Sequence, residues 1–171
     1  MDIRVKKTKR SIANAFLELR AKLPLEKIHV NELCQKAEIN KSTFYTYYHD
    51  IYELSDELET QALQSFRDIP HPEYVLSDSV AFVQELSQAY YASERILDIL
   101  FSGNRSHLLI PQIAEELRKL ISLQFPDSAN DPDFQIVLTY RIYGGCYAFQ
   151  KCRKYGVEKV VKIIGELNRT M

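Results

Sequence analysis

Apolar residues recur at helical spacing along most of the chain. Near the start, Ile12, Phe16, Leu19 and Leu23 follow an i, i+4, i+7, i+11 pattern, which is the buried stripe of an amphipathic helix. Alternating strand-like runs and the Asn-Gly or Asp-Gly signals of tight hairpins are absent from the sequence. The pattern therefore predicts an all-α protein.

About nine helices are predicted in total, separated by prolines, glycines and polar turns. The first ends near Pro24, and Pro70 and Pro72 end the fourth, because proline interrupts helical hydrogen bonding. Gly156 is expected to stop the eighth helix. The apolar patterns that define the nine helices span residues 12–23, 33–37, 44–48, 54–66, 83–90, 96–101, 113–121, 133–155 and 157–167.

The stretch from His29 to Asp50 carries the strongest functional signal. Two short helical patterns meet there at residues 37–40, and Asn40 is a residue type that caps helix N-termini. Two short helices joined by such a turn predict a helix-turn-helix, in which the second helix enters the major groove of DNA.

The second of these helices has a buried face and an outward face. At about 100° per residue, Phe44 and Tyr48 lie on one side and define the buried face. The outward residues include no carboxylate, so they can contact phosphates and base edges without repulsion. A solvated helix that happens to lack acidic residues is the alternative, although exposed tyrosines are unusual on such a face. The residues turned outward or to the shoulders are Lys41, Ser42, Thr43, Tyr45, Thr46 and Tyr47.

Residues 37–48 resemble the signature of the TetR family of transcription regulators. That signature is a small turn followed by Thr-Phe/Leu-Tyr-x-His/Tyr-Phe, which residues 43–47 match in order. The similarity extends over about residues 5–65. The C-terminal part, residues 140–167, is more loosely similar to the effector domains of Firmicutes-type relatives.

The resemblance implies a domain organisation and a function. Residues 1–50 are expected to form a helix-turn-helix DNA-binding domain, and residues 51–171 a ligand-binding and dimerisation domain. A homodimer, in which two C-terminal helices of each subunit meet, would bind a palindromic operator in double-stranded DNA as a repressor. A small apolar or cationic effector would release it. The DNA-binding positions implied by the resemblance, at bases, groove edges or phosphates, are Asn31, Lys41, Ser42, Thr43, Tyr45 and Tyr47. Thr46 joins this candidate set because it lies on the outward face of the same helix.

Three departures from the family pattern keep a second function open. Glu38 stands where relatives have a turn glycine, so a left-handed backbone there would be strained. Tyr48 replaces a phenylalanine, and its hydroxyl needs a partner. Ile51 occupies a position where many relatives carry a phosphate-binding lysine. The alternative function is a co-activator or adaptor that acts through protein contacts and has lost operator binding.

Charge is distributed unevenly behind a formal net charge of −1. Lys and Arg exceed Asp and Glu by four in residues 1–50 and by five in residues 134–171, whereas residues 51–133 carry an excess of ten acidic residues. This asymmetry favours contact with a polyanion at one end only. A solvated terminus is the alternative to DNA contact by the basic N-terminal run. The candidate phosphate contacts in that run are Arg4, Lys6, Lys7, Lys9 and Arg10.

Aromatic residues in the C-terminal region define a candidate effector pocket. At helical spacing such residues also suit a core or a dimer interface, and only the family resemblance favours a pocket. Gly144 and Gly145, inside the eighth predicted helix, favour a close approach to a symmetry-related helix, with a local kink as the alternative. The candidate pocket residues are Tyr90, Phe101, His107, Tyr140, Tyr143 and Tyr147.

Other classes of function find little support in the sequence. No phosphate-binding glycine loop, nucleophile–base signature or paired-carboxylate motif is present, so an enzyme is not expected. Three cysteines without a framework spacing predict free thiols, and the scattered histidines give no metal site and no cofactor. No apolar run is long enough to span a membrane, and we expect a cytoplasmic protein.

Overall fold

The computed structural model describes residues 3–169 and contains only helices and turns in that range. Short 3-10 turns occur at Leu25–Lys27, Gly103–Leu108 and Arg153–Tyr155. The prediction of an all-α fold is confirmed. The helices are α1 (Ile3–Arg20), α2 (Val30–Lys36), α3 (Lys41–Tyr47), α4 (Ile51–Ala62), α5 (Gln64–Arg67), α6 (Tyr74–Ser77), α7 (Ser79–Leu100), α8 (Leu109–Gln124), α9 (Pro132–Cys152) and α10 (Val157–Arg169).

The number and bounds of the helices differ from the prediction in two places. The segment 96–101 was predicted as a separate helix, but it is the end of α7, because neither proline nor glycine interrupts residues 79–100. The predicted fourth helix ends at Ala62, and the four-residue helices α5 and α6 follow it. Gly156 ends the α9 region as predicted, with a φ of 106° that favours glycine.

The chain divides into two compact units. The first contains residues 3–62 and 95–106, and the second contains residues 63–94 and 107–169. The first unit therefore includes α4 and the end of α7 as well as the predicted helix-turn-helix. Within it, the buried Arg20 donates hydrogen bonds to the carbonyl oxygens of Leu23, Leu100 and Ser102, at 3.1, 3.3 and 2.8 Å. These bonds fix residues 95–106 to α1.

A buried ion pair also joins residues 95–106 to α4. Arg105 donates from Nε and Nη2 to the two carboxylate oxygens of Glu59, both at 2.6 Å, and Nη2 also donates to Asp56 at 2.7 Å. Glu59 is only 1% exposed and accepts a further hydrogen bond from Ser55 Oγ at 3.0 Å. These bonds to Glu59 raise the pKa of Arg105.

A glycine allows two helices of the second unit to approach closely. A Cβ added at Gly165 on α10 would lie 2.5 Å from the Val80 Cα on α7, so no side chain fits there. Gly144 has no atom within 4 Å of such a Cβ, and the Cβ at Gly145 would lie 3.6 Å from Ile164 Cγ2. The close approach of helices within the chain therefore occurs at Gly165.

The turn between α2 and α3 contains a strained residue. Glu38 has a φ of 54°, the left-handed conformation in which a side chain is unfavourable. The Ile39 N–H donates to the Cys34 carbonyl at 3.0 Å and the Ala37 N–H to the Leu33 carbonyl at 2.8 Å, so the end of α2 requires this backbone shape.

Glu38→Gly is expected to raise the free energy of unfolding by about 0.5–1 kcal/mol, because glycine adopts this conformation without strain. Urea denaturation followed by circular dichroism measures the change. Glu38→Ala is the control, since it removes the carboxylate and retains the strain. An equal gain in the alanine variant would assign the effect to charge instead of backbone.

Candidate nucleic-acid interface

The core of the first unit sets the orientation of α3. Phe44 is fully buried and Tyr48 is 3% exposed, with their ring centroids 5.7 Å apart. Ser11 Oγ on α1 donates to the Ala37 carbonyl at 2.9 Å and fixes the turn that precedes α3. Asn40 occupies the N-cap position with extended backbone, but its side chain makes no capping hydrogen bond. The orientation of α3 therefore rests on its buried aromatic face.

The opposite face of α3 is open to solvent and carries no acidic residue. Tyr45 is 55% exposed, and its ring contacts Phe44 edge to face with centroids 5.4 Å apart. Thr46 Oγ1 donates to the Ser42 carbonyl at 2.9 Å and keeps its lone pairs for accepting. The outward face predicted from periodicity agrees with the observed exposure. Exposed are Lys41, Ser42, Tyr45 and Thr46, half-buried are Thr43 and Tyr47, and Asn31 is exposed in the first turn of α2.

The Tyr48 hydroxyl has the partner that the sequence analysis required. It donates to Glu57 Oε1 at 3.3 Å, and burial, with the nearby Glu57 carboxylate, raises the pKa of Tyr48. Lys9 Nζ donates to Glu57 Oε2 at 3.0 Å and lies 5.1 Å from the centroid of the Tyr48 ring. Tyr48 therefore stays a neutral hydrogen-bond donor, and Lys9 is held against the core.

The basic N-terminal run is helical, because α1 begins at Ile3. Arg4, Lys6, Lys7 and Arg10 are exposed, whereas Lys9 is half-buried and paired with Glu57. Of the five candidate phosphate contacts, the structure therefore leaves four on the surface and places Lys9 in an internal ion pair.

The beginning of α4 differs from a phosphate-binding position. Ile51 is buried, at 6% exposure, and packs with the α4 stripe that includes Leu54. Asp50 Oδ1 accepts the Glu53 N–H at 2.8 Å, and the Glu53 carboxylate accepts the His49 N–H, which fixes the start of the helix. Tyr52 is 49% exposed beside this cap and was not singled out in the sequence. Successive side chains of a helix point in different directions, so the burial of Ile51 predicts that Tyr52 is exposed.

A separate apolar cavity of about 60 Å³ lies within the second unit. Arg141, Ile142, Cys146 and Phe149 line it from α9, and Tyr90 is the one predicted pocket residue that also lines it. Ile142, Cys146 and Phe149 are spaced three to four positions apart, as expected for residues on one face of a helix. This spacing is the signal in the sequence for the side of α9 that lines the cavity. Burial raises the pKa of the Cys146 thiol to about 12, so the thiol stays protonated.

The remaining predicted pocket residues lie elsewhere. Tyr140 and Tyr147 are 63% and 47% exposed on another face of α9, and Tyr143 is half-buried without lining the cavity. Phe101 is buried and belongs to the first unit, and His107 is exposed in the second. The structure therefore does not bring the six residues together.

Residues 3–169 contain neither a metal-binding cluster nor a membrane-spanning helix. No group of three His, Cys, Asp or Glu residues in this range is placed to hold a metal ion. None of the helices in the same range is both long and apolar enough to cross a membrane.

A comparison with solved structures finds a protein of similar fold. Neither a family model nor a curated protein matches the sequence. Among solved structures, the dihydroxyacetone kinase operon activator DhaS is similar, with a TM-score of 0.60 over 94% of this chain and 93% of that chain. The two sequences are 19% identical, and at this identity the likeness concerns the fold.

Proposed function

We propose that this chain is a DNA-binding transcription regulator that reads an operator with α3. The observation that carries the proposal is the composition of the outward face of α3, opposite the buried Phe44. That face presents Lys41, hydroxyl groups and the exposed ring of Tyr45, with no carboxylate. Such groups bind phosphates and base edges in the major groove. The name of the solved structure with a similar fold, an operon activator, also supports a regulatory role.

The mode of regulation that we propose is repression relieved by a small effector. The effector would bind in the second unit, where the apolar cavity lies. A ligand weakens DNA binding only if it binds the DNA-incompetent state more tightly, and the coupling free energy is typically about 1–3 kcal/mol. The linkage is reciprocal, so operator DNA must weaken effector binding by the same factor.

Fluorescence anisotropy tests the proposal with a labelled duplex from the promoter region of the chain's own gene. We expect saturable binding that unlabelled promoter DNA displaces and that an unrelated duplex of equal length displaces far less well. Equal competition by both duplexes, or no binding at low salt, would contradict operator recognition. The salt concentration must be fixed across the series.

We further propose that the chain forms a two-fold homodimer through α9 and α10. Palindromic half-sites require such symmetry in helix-turn-helix regulators. Gly144 lies on this surface with open space around it, which suits close approach by a second subunit. The large apolar side chains exposed on these two helices are Ile136, Val137, Tyr140, Tyr147, Ile163 and Leu167.

Sedimentation at micromolar concentration is expected to give about twice 19.9 kDa. Tyr140→Glu together with Ile163→Glu should shift the chain to monomer, because two buried charges per subunit would oppose association. The control is Leu123→Glu, a charge introduced at an 82% exposed position on α8. A wild-type monomer, or equal dissociation by the control, would contradict this interface.

A second candidate function is a co-activator or adaptor that acts through protein contacts. The left-handed Glu38 and the buried Ile51 favour it, since Ile51 offers no cation to a phosphate. The solved structure with a similar fold is that of an operon activator. In that case the promoter duplex would not bind to the chain alone.

A further inference from the structure

Arg141 is the one charged residue among the described residues that line the cavity of the second unit. Most of the lining is aliphatic or aromatic, and within residues 3–169 the other polar groups of the lining are neutral, with no Asp or Glu. A guanidinium is charged at all physiological pH values, so the cavity carries a fixed positive charge inside an apolar wall. The residues of the lining with polar side-chain groups are Ser79, Ser87, Tyr90, Arg141, Cys146, Gln150 and Asn168.

The guanidinium of Arg141 is only partly satisfied. Its Nη1 donates to the carbonyl oxygen of Val75 at 3.0 Å, which holds the side chain against α6. Its Nε is buried and has no hydrogen-bond partner among residues 3–169. A buried charged donor without an acceptor is costly, and a negative charge beside the guanidinium would offset part of that cost.

We infer that this cavity binds a small apolar carboxylate whose negative charge pairs with the guanidinium of Arg141. The inference rests on the proposed function, since the ligand would be the effector of that regulator. The fixed charge excludes the cationic effectors that the sequence analysis allowed and selects apolar ligands with one anionic group. Carboxylates match the planar donor geometry of arginine, which also gives the ligand a defined orientation.

The dimensions of the cavity limit the ligand to a small molecule. About 60 Å³ accommodates roughly four to six water-sized groups, which corresponds to a short branched chain with its carboxylate and is well below the roughly 150 Å³ of a cavity that binds benzene. Phe82, Tyr90 and Phe149 line the cavity, and the Tyr90 and Phe149 rings meet edge to face with centroids 5.8 Å apart. A short branched alkyl group packs well among such side chains, so isobutyrate is a suitable probe.

Isothermal titration calorimetry of the full chain without DNA tests the inference with three probes of one shape. Isobutyrate carries a negative charge, isobutyramide is neutral and isobutyramidinium is positive. We expect isobutyrate to bind at least about tenfold more tightly than isobutyramide, and isobutyramidinium not to bind, because only the anion completes a charge-assisted bond. Equal affinity for isobutyrate and isobutyramide, tighter binding of isobutyramidinium, or no binding of isobutyrate would each overturn the inference.

Arg141→Met should lower isobutyrate affinity to that of isobutyramide and leave isobutyramide affinity unchanged. The matched control is Arg118→Met, which removes an arginine of the same unit that pairs with Glu115 and does not line the cavity. An equal loss in both variants would overturn the role of Arg141. Circular dichroism checks folding, and if the Arg141 variant does not fold, the ratios of the three probes on the wild type decide.

The failure of this inference is distinguishable from the failure of the proposed function. Isobutyrate binding is measured on the protein alone, whereas operator binding is measured by anisotropy on the same preparation. Arg141-dependent isobutyrate binding without DNA binding would contradict the regulator and retain the ligand class. DNA binding without isobutyrate binding would retain the regulator and overturn the ligand class.

Discussion

Truncation of Lys41 or Tyr45 to alanine is expected to abolish operator binding while the protein remains folded. Both side chains lie on the exposed face of α3, away from the buried Phe44. A base or phosphate contact contributes about 1–3 kcal/mol, and a dimer loses it twice, so the loss is about 2–6 kcal/mol per dimer. Tyr45→Ala should relax sequence preference, whereas Tyr47→Ala should weaken all sequences alike, because Tyr47 lies on the shoulder expected to face phosphates.

Fluorescence anisotropy with promoter DNA measures the affinity of each variant, and a thermal melt of the same variant measures its stability. Together they distinguish a lost DNA contact from an unfolded protein. Tyr45→Ala also removes an edge contact with Phe44, so its stability should fall by about 0.5–1.5 kcal/mol and the titrations belong well below its melting point. Phe44→Ala is the contrasting variant, with an expected loss of about 3–5 kcal/mol of stability. Folded Lys41 and Tyr45 variants that bind like the wild type would leave the co-activator as the better proposal.

Arg105→Met is expected to lower the free energy of unfolding by about 3–5 kcal/mol, because it removes one partner of a buried ion pair. Glu59 is 1% exposed and would lose both of its 2.6 Å hydrogen bonds to the guanidinium. Urea denaturation measures the loss. Residues 95–106 should also lose their attachment to α4, which limited proteolysis detects.

The double variant Arg105→Met with Glu59→Leu is the control for this pair. An apolar pair of similar volume often replaces a buried ion pair at little cost, so the double variant should recover most of the stability lost in the single one. A single variant that costs less than about 1 kcal/mol would show that the ion pair does not stabilise the first unit.

Residues whose role depends on local periodicity were predictable from the sequence. The buried Phe44 and Tyr48 and the outward Tyr45 follow from helical spacing alone, and their exposure agrees with it. The left-handed Glu38 and the stop at Gly156 follow from the turn chemistry of single residues. Both kinds of signal lie within fewer than about eight consecutive residues, and they do not depend on contacts with residues distant in the sequence.

Features that depend on distant partners were not predictable in this way. The bond from Arg105 to Glu59 joins residues that lie 46 positions apart, and the one from Lys9 to Glu57 joins residues 48 apart. The residues of α9 that line the cavity were also not predictable from local spacing. The tyrosines that seemed to define a pocket there are exposed or do not line it, while Arg141 and Cys146 do. Helical spacing gives two candidate faces, and only packing against other helices selects the inner one.

Gly165 links sequence divergence to the shape of the cavity. The conflict with a Cβ at this position involves the Val80 backbone, so a smaller side chain at residue 80 does not relieve it. A descendant with alanine at residue 165 must therefore hold α7 and α10 farther apart. Both helices also line the cavity, through Val83 and Asn168 among others, whereas Gly165 does not line it. A single nucleotide change in one glycine codon can thus reshape the cavity without altering any residue that lines it.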